Sequence, residues 1–470
     1  MQPTHPGLPN TSERVPAGFS FATSPIFALV VLFSMNLLNY IDRYVFFSAG
    51  PKIQSDLEFS NSDFGILSVA FMVVYTIVSP FVGWMGDRYH RRRLIAFGVG
   101  LWSVATVGTA FASSYYEMFF WRALLGIGEA SYGVIAPALL ADLFPPKRRG
   151  RVMGIYYLAL PLGGAIGYMV GGYFSTHNWR HAFWIVGIPG LLAAIAGLMI
   201  HDPGRGASEE RVETGPPPRP KFSDYLQILK TPSFLFNTAG QAAVTFAIGA
   251  YAVWGSAFYQ TVRGLDAKEA GRMIGAITAG AGLLGIIIGT VVADRLGKVT
   301  RRALMFWPAF AVMLAVPCGT MAILSPDRTT SLTYLFFASL FMASVLGPSN
   351  TVTANVVPAN QRAAGYAVCI FLVHLFGDIS SPALVGGVAD YFGKAEVAAS
   401  PLGQIFAGWG AVPTPSATGP SNLTLGMLLV VPMLALGCLF FWIGSKWLPQ
   451  DQDHAKSQGG DVEGGGYAGH

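Results

Sequence analysis

Charge is scarce in this chain. Only 12% of its 470 residues are Asp, Glu, Lys or Arg, about half the share found in soluble globular domains. That is too little to cover a water-facing surface, so a soluble fold is excluded. Cysteine is nearly absent too. Cys318, Cys369 and Cys438 all lie in apolar runs without metal or disulfide spacing, and they read as small core residues. The sequence has no Walker loop, no nucleophile elbow and no metal-ligand cluster. ATP-driven work and enzyme chemistry are therefore not expected, and no cofactor is implied. Met1 to Thr23 carry no basic-then-apolar leader. The net charge of +5 is spread over short segments between apolar runs. It points to orientation in a membrane, with no nucleic-acid partner.

What is present is apolar. Hydrophobic residues make up 52% of the chain, with 56 Gly and 33 Phe, as expected where lipid replaces water and helices pack closely. About twelve runs approach the roughly 20 residues needed to span a bilayer. The expected fold is an all-α membrane protein of about twelve transmembrane helices in two pseudo-symmetric six-helix bundles. The expected layout is an N-terminal segment 1–25, a bundle 26–200, a polar Pro-rich linker 201–232, a second bundle 233–448, and a disordered tail 449–470. Arg88–Arg93, Lys147–Arg151 and Arg295–Arg302 mark one face as cytoplasmic. Both termini and the linker then lie on that face.

Landmarks recur in the two halves. Gly83-Trp-Met-Gly-Asp87-Arg88-Tyr-His-Arg91-Arg92 follows the second run, and Gly289-Thr-Val-Val-Ala-Asp294-Arg295 follows the eighth. Asp142, Pro145 and Arg149 follow the fourth run, and Asn355, Pro358 and Arg362 follow the tenth at equal spacings. An offset of about 210 residues fits parallel half-chain repeats.

The G-x-x-x-D-R-x-x-R-R loop resembles the signature of the major facilitator superfamily, with His90 where that family usually has Gly. Asn39-Tyr40-Ile41-Asp42-Arg43-Tyr44, Arg122 to Ala130, and His374 to Pro382 are similar to the spinster-type lipid transporters. The resemblance implies a monomeric secondary transporter of a lysophospholipid or sphingoid phosphate, with protons as a partner. It also implies that the first and fourth spans line a shared cavity. A multi-pass location in a bacterial plasma membrane is expected.

Ionisable residues at bilayer depth are expensive and mark pathways. Arg122 suits a phosphate or carboxylate headgroup, and Glu129, seven residues on, shares nearly its helix face. Glu129 is read either as a proton carrier that alternates with Arg122 or as its static packing partner. Asp42 lies at the depth to join them. Arg43 either enters the cavity or snorkels outward. His374 and Asp378 form an i, i+4 pair that either carries a proton or stays fixed. Tyr40, Asn237 and Asn350 complete the candidate substrate contacts. Asp87, Arg88, Arg92, Asp142, Arg149, Asp294, Arg295 and Arg362 are candidate gate residues at the basic face.

A charged first half against an aromatic second half suits an amphiphile. The polar groups of the seventh and tenth spans would equally suit a small organic anion such as a sugar acid or sugar phosphate. A receptor that transports nothing is the remote alternative.

Overall fold

The computed structural model describes residues 24–204, 228–358 and 361–460. Most of the N-terminal segment and of the linker lie outside the described residues, as do the side chains of Asp87 and Arg362.

The first half comprises α1 (Pro25–Leu57), α2 (Asn61–Arg88), α3 (Arg91–Thr109), α4 (Tyr115–Leu143), α5 (Pro146–Tyr157), α6 (Ala159–Ser175) and α7 (Arg180–Leu198). The second comprises α8 (Pro232–Thr261), α9 (Ala267–Gly297), α10 (Ala303–Leu324), α11 (Arg328–Ala343), α12 (Leu346–Asn355), α13 (Arg362–Phe376) and α14 (Ser381–Gly393). Two short helices, α15 (Ala395–Ala398) and α16 (Pro401–Gly408), then lead to a hairpin of β1 (Thr414–Ser416) and β2 (Gly419–Ser421). Helices α17 (Leu423–Leu428), α18 (Val430–Gly444) and α19 (Leu448–Gly460) end the described chain.

Four spans are each built from two helices, and proline accounts for the breaks. Pro161, Pro348, Pro382 and Pro432 follow the α5/α6, α11/α12, α13/α14 and α17/α18 junctions. Each lacks the N–H that would bond the carbonyl four residues back. Pro80 and Pro137 sit in continuous helices, so proline permits a break without dictating one. Among the described residues eleven helical stretches are long and apolar enough to cross a membrane. α3 supplies the twelfth: its first turn is spent on Arg91, Arg92 and Arg93, and it is wedged between α4 and α7 at Gly98, Gly128 and Gly187. His90 has φ −67°, a conformation open to any residue, so this turn does not need glycine.

The halves meet along α6 and α9, where Gly172 and Gly271 are so close to the opposing backbone that an added Cβ would clash. They also meet where α2 begins. There the Asp390 carboxylate of α14 accepts bonds from Asn61 Nδ2 (3.0 Å), Ser62 N (2.7 Å) and Ser62 Oγ (2.7 Å). Gly65 and Gly386 let those helices touch backbone to backbone. Gln260 donates to the Ser48 carbonyl (3.2 Å), and Tyr168 donates to that of Ala252 (2.5 Å). These cross-half bonds all lie toward the end that charge counting assigns to the outside.

One expectation needs correction. Residues 449–460 are not a structureless tail but the body of α19. Asp451 accepts from the Ser233 N–H at the start of α8 (2.8 Å), and Asp453 pairs with Arg301 (2.5 Å). Polar composition hid this helix because its partners are the chain ends of neighbouring spans.

Candidate functional site

Between the halves lies a cavity of about 400 Å³. Its walls are mostly apolar, and the second half contributes Ile248, Tyr251, Ile277 and Leu335. Charge enters from two sides: Arg43 from α1, and His374 with Asp378 from the α13/α14 junction. A second, polar chamber of about 190 Å³ lies within the first half. Tyr40 and Arg43 line both spaces, and Glu129 lines only the smaller one.

Arg43 is the hinge of this arrangement. Its Nε donates to Glu129 Oε2 at 3.0 Å, and its Nη2 also bonds that oxygen. Glu129 is 1% exposed, and its Oε1 has no hydrogen-bond partner. The α1 helix can approach because Gly163, Gly167 and Gly171 of α6 face it, each too close for a Cβ.

Arg122 behaves differently from the sequence expectation. It is 1% exposed, absent from both cavity walls, and none of its guanidinium nitrogens has a hydrogen-bond acceptor. Its charge rests instead on aromatic faces, 4.2 Å from the centre of Phe46 and 4.9 Å from that of Phe71. Arg43 stands 4.7 Å from the same Phe71 ring. One phenyl group therefore serves two guanidinium groups, and Gly126, packed on the Phe71 carbonyl, fixes its backbone. Asp42 is also buried. Its Oδ2 accepts from Thr106 Oγ1 of α3 at 2.9 Å, and its Oδ1 is unbonded. It lies near enough to Arg122 to attract it electrostatically. The Arg122–Glu129 pair anticipated from spacing is thus replaced by Arg43–Glu129, because two turns of helix separate residues on one face whereas α1 brings Arg43 alongside.

His374 Nδ1 meets Asp378 Oδ1 at 2.8 Å and Oδ2 at 3.1 Å. Asn237 is fully buried and donates to the Ser349 carbonyl (3.0 Å) and Thr353 Oγ1 (3.2 Å), holding α12 to α8 away from the cavity walls. Asn350 is exposed, outside the cavity lining.

At the basic face, Asp142 accepts from Arg91 Nη1 (2.5 Å), and Asp202 accepts from Nη2 (2.6 Å). This clamp ties α3 to the end of α4 and to the chain leaving α7. Arg149 Nε donates to the Ala141 carbonyl (2.9 Å) at the end of α4. Arg88 lies 4.1 Å over Trp84, and Arg92, Asp294 and Arg295 are exposed. Sequence reasoning missed Phe71, Thr106, Arg91 and Asp390. An aromatic or hydroxyl partner leaves no spacing signal. Arg91 was hidden among four basic residues, and Asp390 is distinguished only by its place across the seam.

A family model described as Major Facilitator Superfamily matches residues 32–382. Protein spinster homolog 1 of Xenopus laevis is 31% identical over 402 residues, 81% of this chain and 76% of that protein. Protein spinster homolog 3 of Danio rerio is 31% identical over 97% of this chain and 91% of that protein. The crystal structure of a bacterial homolog to the human lysosomal transporter Spinster, inward-facing and unoccupied, matches with TM-score 0.78 at 22% identity, over 91% of this chain and 98% of that one.

Proposed function

We propose that this chain, which belongs to the major facilitator superfamily and within it to the spinster family, carries an anionic amphiphile such as a lysophospholipid or sphingoid phosphate across its membrane, coupled to protons. Family membership makes it a multi-pass membrane transporter with a small-molecule substrate. The observation that carries the finer reading is the main cavity: a mostly apolar space of about 400 Å³ with one guanidinium, Arg43, on its wall. An acyl chain fits the apolar part, and a phosphate or carboxylate fits Arg43.

The headgroup would draw Arg43 from Glu129. Glu129 would then be a buried carboxylate that has lost its bonded counter-charge, a condition that favours binding a proton. Arg122 and Asp42 act behind this exchange, holding the field in which it occurs. The His374–Asp378 pair faces the same cavity and is a second candidate proton site. The closed seam around Asp390 and the fold's likeness to an inward-facing relative support an inward-facing state. The Lys and Arg bias of the loops supports a reading in which that opening, both termini and the linker face the cytoplasm, and the proposed transporter is a single chain working in a bacterial plasma membrane. The exposed Arg92, Asp294 and Arg295, with Arg88 beside them, would re-form the closed cytoplasmic face when the halves rock.

A second reading rests on the polar chamber, whose amides and tyrosines suit a small organic anion such as a sugar acid. Uptake into proteoliposomes under an imposed pH gradient separates the two. A radiolabelled lysophospholipid should accumulate through the wild type and not through Arg43→Ala, whereas movement of gluconate alone would discard the lipid reading.

A further inference from the structure

The Arg43–Glu129 pair stands in the partition between two spaces of opposite character. The main cavity touches Arg43 and not Glu129, while the smaller chamber touches both. Asn36, Asn39, Tyr75, Gly133 and Tyr157 are among the groups enclosing the smaller chamber. Nearly all are hydrogen-bonding groups without formal charge, the lining that holds water and passes protons.

Asn36 lies one turn of α1 beyond Asn39 and seven residues before Arg43, roughly 10 Å along the helix. Tyr157 is 53% exposed. The chamber therefore runs from the ion pair toward the basic-loop end, inside the first half and away from the seam. Glu129 belongs to this chamber's lining, and its Oε1 is buried and lacks a hydrogen-bond partner. An unbonded carboxylate oxygen beside the chamber can accept a proton.

We propose that the small chamber is the proton's own route to Glu129, so that substrate and proton approach one ion pair from opposite sides. The substrate anion takes Arg43 from the main cavity. Hydronium in the chamber gives its proton to Glu129 Oε1, forming an O–H bond and leaving water. The charges facing Glu129 allow this. Arg43 and Arg122 are the cations that face Glu129, Asp42 is the neighbouring carboxylate, and Tyr40 and Tyr75 face it as neutral hydroxyls. This route rests on the proton-coupled reading above, and it makes the tyrosine chamber dispensable for substrate binding.

The test is to fill the chamber. At Gly133 a side chain would enter it beside Tyr75, whose hydroxyl lies 2.8 Å from the position a Cβ would take. Gly133→Leu, with Asn39→Leu as an independent second variant, is placed in proteoliposomes with a radiolabelled lysophospholipid. The expected result is a tenfold or greater loss of stimulation by the pH gradient, while lysophospholipid exchange at equal pH persists near the wild-type rate. Full gradient stimulation in a folded, exchanging Gly133→Leu or Asn39→Leu protein would overturn the route and leave the transport reading intact. A wild type that exchanges lysophospholipid but ignores the gradient would overturn proton coupling, and the route with it. Loss of exchange together with stimulation in both variants, with wild-type melting behaviour, would place the chamber in substrate binding and also overturn the proposal.

Discussion

The two halves share a fold and differ in what they bury. The first half gathers Asp42, Arg43, Arg122 and Glu129, with both arginines against one phenyl ring and several of the group's polar atoms unbonded. The second half buries mainly neutral groups, such as Asn237, held to Ser349 and Thr353, and its His374–Asp378 pair sits at the cavity wall. A neutral amide such as Asn237, whose Oδ1 is also left without a hydrogen-bond partner, has no charge to match. A buried charge whose partners are incomplete is poised, because a small change in occupancy alters which charges are matched. On the proposed mechanism, the first half does the charge exchange, and the second shapes the apolar space and helps close the seam.

Removing the shared partner breaks this contrast most strongly. Arg43→Ala should lower uptake by about a hundredfold or more, since it deletes the anion contact and strands a buried carboxylate at a cost of ~3–5 kcal/mol. Thermal unfolding should register that cost, and adding Glu129→Gln should recover part of the stability without recovering transport. Recovery of uptake in the double variant would mean that Arg43 serves only as a counter-charge.

The seam should respond next. Asp390→Ala removes three hydrogen bonds to the first turn of α2, and bonds to charged groups contribute about 1.5–3 kcal/mol each before compensation. Amide hydrogen exchange at Ser62 and Asp63 should accelerate by about tenfold or more. Unchanged exchange there would assign closure to the other cross-half contacts, such as the glycine contacts of α6 and α9.

The smallest effect concerns the shared ring. Phe71→Leu keeps the volume nearly constant but removes two cation–π contacts worth roughly 0.5–2 kcal/mol each. Uptake should fall by about fivefold to tenfold, with substrate affinity more affected than stability. A larger loss of stability than of affinity would reduce Phe71 to ordinary packing.

Much of the fold was legible because its causes are local. Apolar run length gives the spans, and the Asp87 and Asp294 loops give the repeat. The breaks within spans were also written in sequence, at Pro161, Pro348, Pro382 and Pro432, yet Pro80 breaks nothing. The site was legible by residue and not by pairing. Burial depth singled out Asp42, Arg122 and Glu129, and charge spacing alone then joined the wrong two. Which arginine meets Glu129 depends on how tightly α1 lies on α6, a fact held by three glycines on another helix. The route by which Arg122 is stabilised without an acceptor depends on aromatic rings from α1 and α2 that carry no charge to notice.

Proton uptake on substrate addition is the most direct measurement. A lysophospholipid is added to the purified transporter in weakly buffered detergent near neutral pH, and the pH change is followed for wild type and Glu129→Gln. Exchange at Arg43 predicts that substrate binding draws protons from solution in the wild type and that Glu129→Gln binds without doing so. Binding without proton uptake in the wild type, or undiminished uptake in Glu129→Gln, would contradict the account.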